Sequence, residues 1–220
     1  MLKLLRKPFT YRYYNAVTGL IIANIAIFII HNAGIRIFKS NFLYGYMQLN
    51  AHLFFGGAYW QIVTYMFTHN VASFMHILFN MLALYIFGRQ LEEHIGSDEF
   101  LLFYFVSGMG AGFLSAVVYL FAFPPLTFLL GSSGAVFAVM LAFAVYFPES
   151  VIYIFGIIPV KAPVLIAGYA AFSLLSQIFG TLNGISHITH LGGFLVGFLY
   201  FIIRIGVNPM DTFKKHIRFR

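Results

Sequence analysis

"LLGSSGAVFAVMLAFAVYF", residues Leu129–Phe147, sets two serines between two glycines at the mouth of an otherwise apolar run. Just before it, Pro124 and Pro125 end any preceding helix. A helix opening at the GSSG has about fifteen residues, roughly 22 Å, before Pro148 stops it. That is shorter than the roughly 30 Å hydrocarbon core of a bilayer. Its first turn is therefore expected below a membrane surface, with Leu126–Gly131 dipping in as a loop. Irregular backbone at that depth is tolerated only where protein covers it or where it lines a wet cavity. The stretch thus predicts a membrane protein in which a helix starts on a hydroxyl inside a cavity.

Composition points the same way. Of 220 residues, 61% are hydrophobic, 20% aromatic and only 9% charged, with a mean hydropathy of +0.88, outside the balance of a soluble domain. Apolar runs near Ala16–Ile30, Val71–Phe87, Phe100–Phe123, Ser133–Phe147, Val164–Phe179 and Ile185–Ile203 predict an all-α polytopic bundle of six transmembrane helices. Residues 1–15 are then an N-terminal cytoplasmic segment, 16–204 the membrane domain and 205–220 a basic cytoplasmic tail. No Ala-x-Ala pattern follows the first run, so it is read as a retained span. Val151–Ile158, ended by Pro159, is too short to span and is expected along the cytoplasmic interface.

The net charge of +7 does not read as a nucleic-acid face, because the basic residues cluster between apolar segments. With the N-terminus inside, the cytoplasmic side holds Lys3, Arg6, Lys7, Arg12, Arg89, Lys161, Arg204, Lys214, Lys215, Arg218 and Arg220, and the outer side only Arg36 and Lys39. That asymmetry orients the chain with both termini cytoplasmic. The aromatic-rich connection Asn32–Asn70 lies outside and is expected to be structured and partly embedded, with His31, His52 and His69 interfacial. No cysteine is present, which excludes disulfides and thiolate metal sites.

Three runs bring polar groups to one depth of the outer leaflet. Ser133 opens the fourth; His190 lies about a turn into the sixth; His76 and Asn80 sit at i and i+4 on one face of the second. Each costs about a kcal/mol or more in hydrocarbon unless partnered, so they are expected to meet. Gly193 and Gly197 form a GxxxG pair, and Gly134 with Ala138 and Ala142 gives the fourth helix a small face, which allows close approach of the fourth and sixth helices. Phe137, one turn below Ser133, is placed to pack beneath the His190 ring.

A serine nucleophile needs a base, and the usual triad adds a carboxylate. Glu92, Glu93, Asp98, Glu99, Glu149 and Asp211 all fall on the cytoplasmic side, so any catalysis here uses a Ser133/His190 dyad. The Ser133 backbone N–H, with Asn80 and His76, would meet the oxyanion. Ser132 is assigned the ordinary capping role, and His187 is the rival base.

The chain resembles the rhomboid intramembrane serine proteases over nearly its whole length. The resemblance rests on "YWQIVTYMFTH" (59–69), "HILFN" (76–80) as HxxxN, "FGRQLEEHIGS" (87–97), "GSSGAVF" (131–137) as GxSGxxF and "HITHLGGFLVG" (187–197) as HxxGxxxG. Where the family commonly has Trp-Arg in the first loop, Trp60 is followed by Gln61. The resemblance implies Ser133 as nucleophile, His190 as base and Asn80 and His76 at the oxyanion, supported by Gly131, Gly134, Phe137, Gly193 and Gly197. It also implies cleavage of the transmembrane segments of other membrane proteins in a lipid bilayer, without metal or cofactor. The compact layout favours the plasma (inner) membrane of a prokaryote, with the site facing outward. The residues carry no signal of oligomeric state. The competing readings are a catalytically inactive client-binding relative, and a transporter or proton channel lined by His76, Asn80, His187 and His190. Against the channel, "NMLALYIF" and "LGGFLVGFLYFII" are apolar below those groups.

Overall fold

The computed structural model describes residues 6, 9–154, 156–179 and 187–217. Residues 1–5, 7, 8 and 218–220 of the two flanking segments, with Lys3, Lys7, Arg218 and Arg220, lie outside the described residues, as do Ile185 and Ser186 of the sixth run.

The chain begins with α1 (Ala16–Arg36). The first connection then folds as α2 (Phe42–Met47), β1 (Leu49–Asn50), α3 (Ala51–Phe55), α4 (Gln61–Thr64) and a 3₁₀ turn Tyr65–Phe67. After it come α5 (Phe74–Ile95), α6 (Ser97–Ala122), β2 (Phe128–Leu129), α7 (Ser133–Tyr146), the strands β3 (Val151–Ile154) and β4 (Ile158–Lys161), and α8 (Ala162–Phe179). The last elements are α9 (His187–Ile205) and α10 (Pro209–Ile217). The fold is a helical bundle of a multi-pass membrane protein. Of the six apolar helices expected, α1, α5, α6 and α9 are long and apolar enough to cross a membrane, α7 has only 14 residues, and α8 has 18.

α7 is the axis of the bundle. Every residue from Gly134 to Val145 is buried, enclosed by α5, α6, α8 and α9. A 14-residue helix reaches only about 21 Å, which serves a helix surrounded by protein instead of lipid. Gly134 packs against Ala111. Because α6 continues from Ala111 to Ala122, the first turn of α7 lies about 16 Å below that end of α6.

The turn from α5 into α6 depends on a single glycine. Gly96 has φ +83°, and a side chain there would meet the Arg12 carbonyl at 3.2 Å. This turn sets Glu92 and Ser97 against the start of α1, whose Asn15 provides no side-chain cap. Glu92 does that work: its carboxylate accepts the Ala16 and Val17 N–H groups at 2.6 and 3.0 Å and the Ser97 hydroxyl, a negative charge at the positive end of a helix. Nearby, Glu99 takes Arg204 at 2.7 and 3.0 Å and the Tyr200 hydroxyl. Here α9 loosens into a π turn, Phe201–Ile205, and Arg6 donates to the Ile202 and Ile203 carbonyls at 3.1 and 3.2 Å.

Val151–Ile158 forms no spanning helix: its β-branched residues pair with the following strand in an antiparallel hairpin with Val151 opposite Lys161, turning at Gly156 with φ +72°. His31 and His69, expected at the interface, are enclosed by protein at 2% and 0% exposure, His31 with Tyr44 of the first connection set edge-on at 5.4 Å.

Candidate active site

The first connection and the α6–α7 loop are built as one unit. β1 pairs antiparallel with β2, Leu49 opposite Leu129, and the Asn50 amide donates to the Pro125 and Thr127 carbonyls at 2.7 and 3.0 Å. Gln61, which follows Trp60, is buried and accepts the Asn50 N–H at 3.1 Å. Trp60 stacks on Tyr46 at 4.8 Å. The loop is therefore tied to the first connection on one side, with Leu129 and Gly131 buried, while Leu126 and Phe128 remain exposed. It ends at Gly131, whose N–H donates to the Tyr65 carbonyl at 2.9 Å. With φ +108°, Gly131 admits no side chain: a Cβ would meet His76 Cε1 at 2.9 Å.

Beyond that glycine the expected groups converge. Ser133 Oγ and His190 Nε2 are 3.0 Å apart. The His190 ring lies flat on Phe137, with centroids 4.1 Å apart and planes 9° from parallel. Phe137 is itself wedged by Phe194 at 5.2 Å and Tyr169 at 5.6 Å. The approach of α9 to α7 that permits this is made by glycine: a Cβ on Gly193 would lie 2.0 Å from the Gly134 carbonyl oxygen, and one on Gly197 would lie 3.0 Å from Ala138 Cβ.

His76 and Asn80 face the same loop. His76 Nδ1 accepts the Asn70 N–H at 3.2 Å, so in the neutral ring the proton sits on Nε2, the edge that borders Gly131. The Asn80 amide donates to the His76 carbonyl at 2.7 Å and accepts the Ser132 hydroxyl at 3.4 Å. Ser132 therefore does not cap α7 with its side chain. Its φ −78° and ψ 2° lie outside the extended region that a capping serine uses. His187 sets its ring perpendicular to His190 at 5.9 Å and edge-on to Phe172 at 6.4 Å.

His69, missed as a neighbour of the site, packs on His76 with rings 5.3 Å apart. It was hidden because a loop, and not one continuous helix, carries it to His76: it lies between the 3₁₀ turn Tyr65–Phe67 and the start of α5 at Phe74. Burial, with a smaller contribution from His76, pushes the His69 imidazole down to about 3. The acids pair elsewhere: Asp98 with Arg12, Glu93 with Arg89, Glu149 with Lys161 and Glu99 with Arg204. Among the described residues no three His, Asp or Glu side chains are grouped to hold a metal ion. An apolar groove of about 370 Å³ between the hairpin and α8 is lined by residues including Tyr169 and Phe172, outside the serine–histidine contact.

With this geometry in place, comparison with known proteins gives a consistent result. The Rhomboid domain family matches residues 56–206. The chain is 33% identical over 146 residues to Putative rhomboid protease YdcA of Bacillus subtilis (strain 168), covering 65% of this chain and 68% of that protein. It is 33% identical to Rhomboid-like protein 11, chloroplastic, of Arabidopsis thaliana, covering 87% of this chain and 65% of that protein. It is 28% identical to Rhomboid protease AarA of Providencia stuartii, covering 68% and 57%. The chain spans 65% and 55% of the lengths of the two Arabidopsis relatives of organellar name, Rhomboid-like protein 11 and RHOMBOID-like protein 12, mitochondrial. The chain belongs to the rhomboid family.

Proposed function

We propose that the chain is an intramembrane serine endopeptidase that cleaves transmembrane segments of other membrane proteins. The observation that carries this reading is the 3.0 Å contact between Ser133 Oγ and His190 Nε2. His190 takes the hydroxyl proton as Oγ attacks the scissile carbonyl carbon, then returns it to the departing amine. Water, activated by the same nitrogen, hydrolyses the acyl-enzyme. The developing oxyanion is met by the Ser133 N–H at the positive end of α7, by the His76 Nε2–H and by the Asn80 amide. Gly131, Gly134, Gly193 and Gly197 support this by allowing close approach, and Phe137 by holding the ring.

The same reading places the protein in the plasma membrane of a prokaryote, with both termini cytoplasmic and Ser133 opening outward. Basic residues support that orientation, since only Arg36 and Lys39 fall in the outer connection. The chain has no cysteine, so single cysteines placed at Lys39 and at Lys214 report sidedness directly. Lys39→Cys is expected to react with an impermeant maleimide added to intact cells, and Lys214→Cys only after lysis; the reverse pattern overturns the orientation.

The activity is tested by labelling the purified chain with a serine-reactive fluorophosphonate. Wild type is expected to label, and Ser133→Ala and His190→Ala to fail. Equal labelling of all three would reject the dyad.

A further inference from the structure

We infer that Ser115 on α6 and Thr189 on α9 form a positioning pair for His190, resting on the reading of His190 as the base. Thr189 immediately precedes His190 in the first turn of α9, and its hydroxyl lies 2.9 Å from the Ser115 hydroxyl. Ser115 also bonds the Ala111 carbonyl at 2.8 Å. Both are enclosed, Ser115 at 0% and Thr189 at 3% exposure, so water cannot replace the contact.

The pair matters because of what surrounds it. Around Thr189 the face of α9 toward its neighbours is a glycine seam, with Gly192 touching Ala111, Gly193 touching Gly134 and Gly197 touching Ala138, and its larger contacts, Phe194 on Phe137, Val196 against Gly110 and Tyr200 on Phe103, lie further along the helix. Glycine seams allow close approach but hold axial position weakly, since dispersion between small groups changes little with a slide. A one-residue slip of α9 would move His190 about 1.5 Å along the axis and swing it by about 100°. Directional bonds resist that slip, and they stand near both ends of the antiparallel α6–α9 seam. At one end Glu99 holds Tyr200 and Arg204; at the other Ser115 holds Thr189. Glu99 and Ser115 are separated by about 24 Å of α6, so the distant tie cannot set the pitch of the first turn alone. No carboxylate reaches the His190 ring, whose placement rests on Phe137 stacking from below and on the backbone that Thr189 anchors.

The test uses the full chain, purified and reconstituted, with Thr189→Val, Ser115→Ala, Thr189→Ser and the Thr189→Val/Ser115→Ala double variant. The readouts are the rate of fluorophosphonate labelling of Ser133 across pH, kcat and KM on a transmembrane substrate, and the melting temperature. Thr189→Val is expected to slow labelling and lower kcat roughly ten- to a hundredfold, the range for a base misplaced by up to an ångström, with KM nearly unchanged. Ser115→Ala should act in the same direction, the double variant should be no slower than the slower single one, and Thr189→Ser should recover most of the rate. Additive losses, a loss that follows only the folded fraction, or a wild-type rate in Thr189→Val would each overturn the pair. If Ser133→Ala labels like wild type, it is the serine–histidine reading that has failed; if Ser133→Ala is silent and Thr189→Val is normal, only the positioning pair has.

Discussion

The imidazole of His190 lies parallel to the phenyl ring of Phe137, 9° apart in plane and 4.1 Å between centroids, so the ring's tilt is set from the helix that carries Ser133. Both partners of the serine–histidine contact are thereby referred to α7. Phe137→Leu keeps the volume nearly filled and removes the flat surface. Aromatic pairs of this kind contribute about 0.5–1.5 kcal/mol beyond area burial, so stability is expected to fall modestly. The labelling rate of Ser133 is expected to fall about tenfold or more, because the freed ring samples orientations that do not reach Oγ. Matched rates for Phe137→Leu and wild type would show that the stacking is incidental.

Gly193→Ala is expected to separate α9 from α7. Its Cβ would sit 2.0 Å from the Gly134 carbonyl oxygen, which is backbone and cannot rotate aside. The cost should therefore exceed the about 1–3 kcal/mol of an ordinary overpacked methyl, and Ser133 labelling should be lost with it. Gly168→Ala on α8 is the control, since nothing lies within 4 Å of the added carbon and Ala is the better helix former. Melting curves of the two variants, with labelling on the same samples, settle the comparison.

Much of this site was legible because membrane burial makes polar residues conspicuous. Ser133, His190, His76 and Asn80 stand out in apolar runs, and glycines at Gly134, Gly193 and Gly197 mark where helices touch. The burial of His31 and His69 was not legible. Both sit at the edges of apolar runs, where a histidine facing solvent and one covered by a folded connection have the same local sequence. Nor was the role of Gln61, whose partner Asn50 belongs to a two-residue strand that exists only because β2 is brought alongside. The hairpin had a readable signal in its β-branched residues around Gly156, but reading the stretch only for span length hid it.

His69 is expected to make the fold acid-sensitive. Its imidazole is enclosed and held neutral down to about 3, against about 6.5 in an unfolded chain. Between those values the unfolded state binds the extra proton, so stability is fully present above about 6.5 and declines as pH falls toward about 3. His69→Leu removes the titrating group from its buried place. The drop in melting temperature between pH 7 and pH 4.5 is expected to be smaller in His69→Leu than in wild type. An unchanged drop would place the acid sensitivity elsewhere.

Glu99 and Arg204 are expected to be costly to separate and cheaper to remove together. Their side chains are only 8% and 15% exposed, and the carboxylate also accepts the Tyr200 hydroxyl. Glu99→Gln leaves the guanidinium without its counter-charge in a poorly hydrated place, a situation that costs about 3–5 kcal/mol. In the double variant Glu99→Leu/Arg204→Met no charge is left stranded, and apolar side chains of comparable length refill the space. Its melting temperature should therefore lie above that of Glu99→Gln, even though more hydrogen bonds have been deleted. Thermal melts of wild type, Glu99→Gln and the double variant at one detergent concentration test this ordering. A double variant less stable than Glu99→Gln would mean that the directional bonds to Tyr200 and Arg204, and not charge compensation, hold this end of α6 against α9.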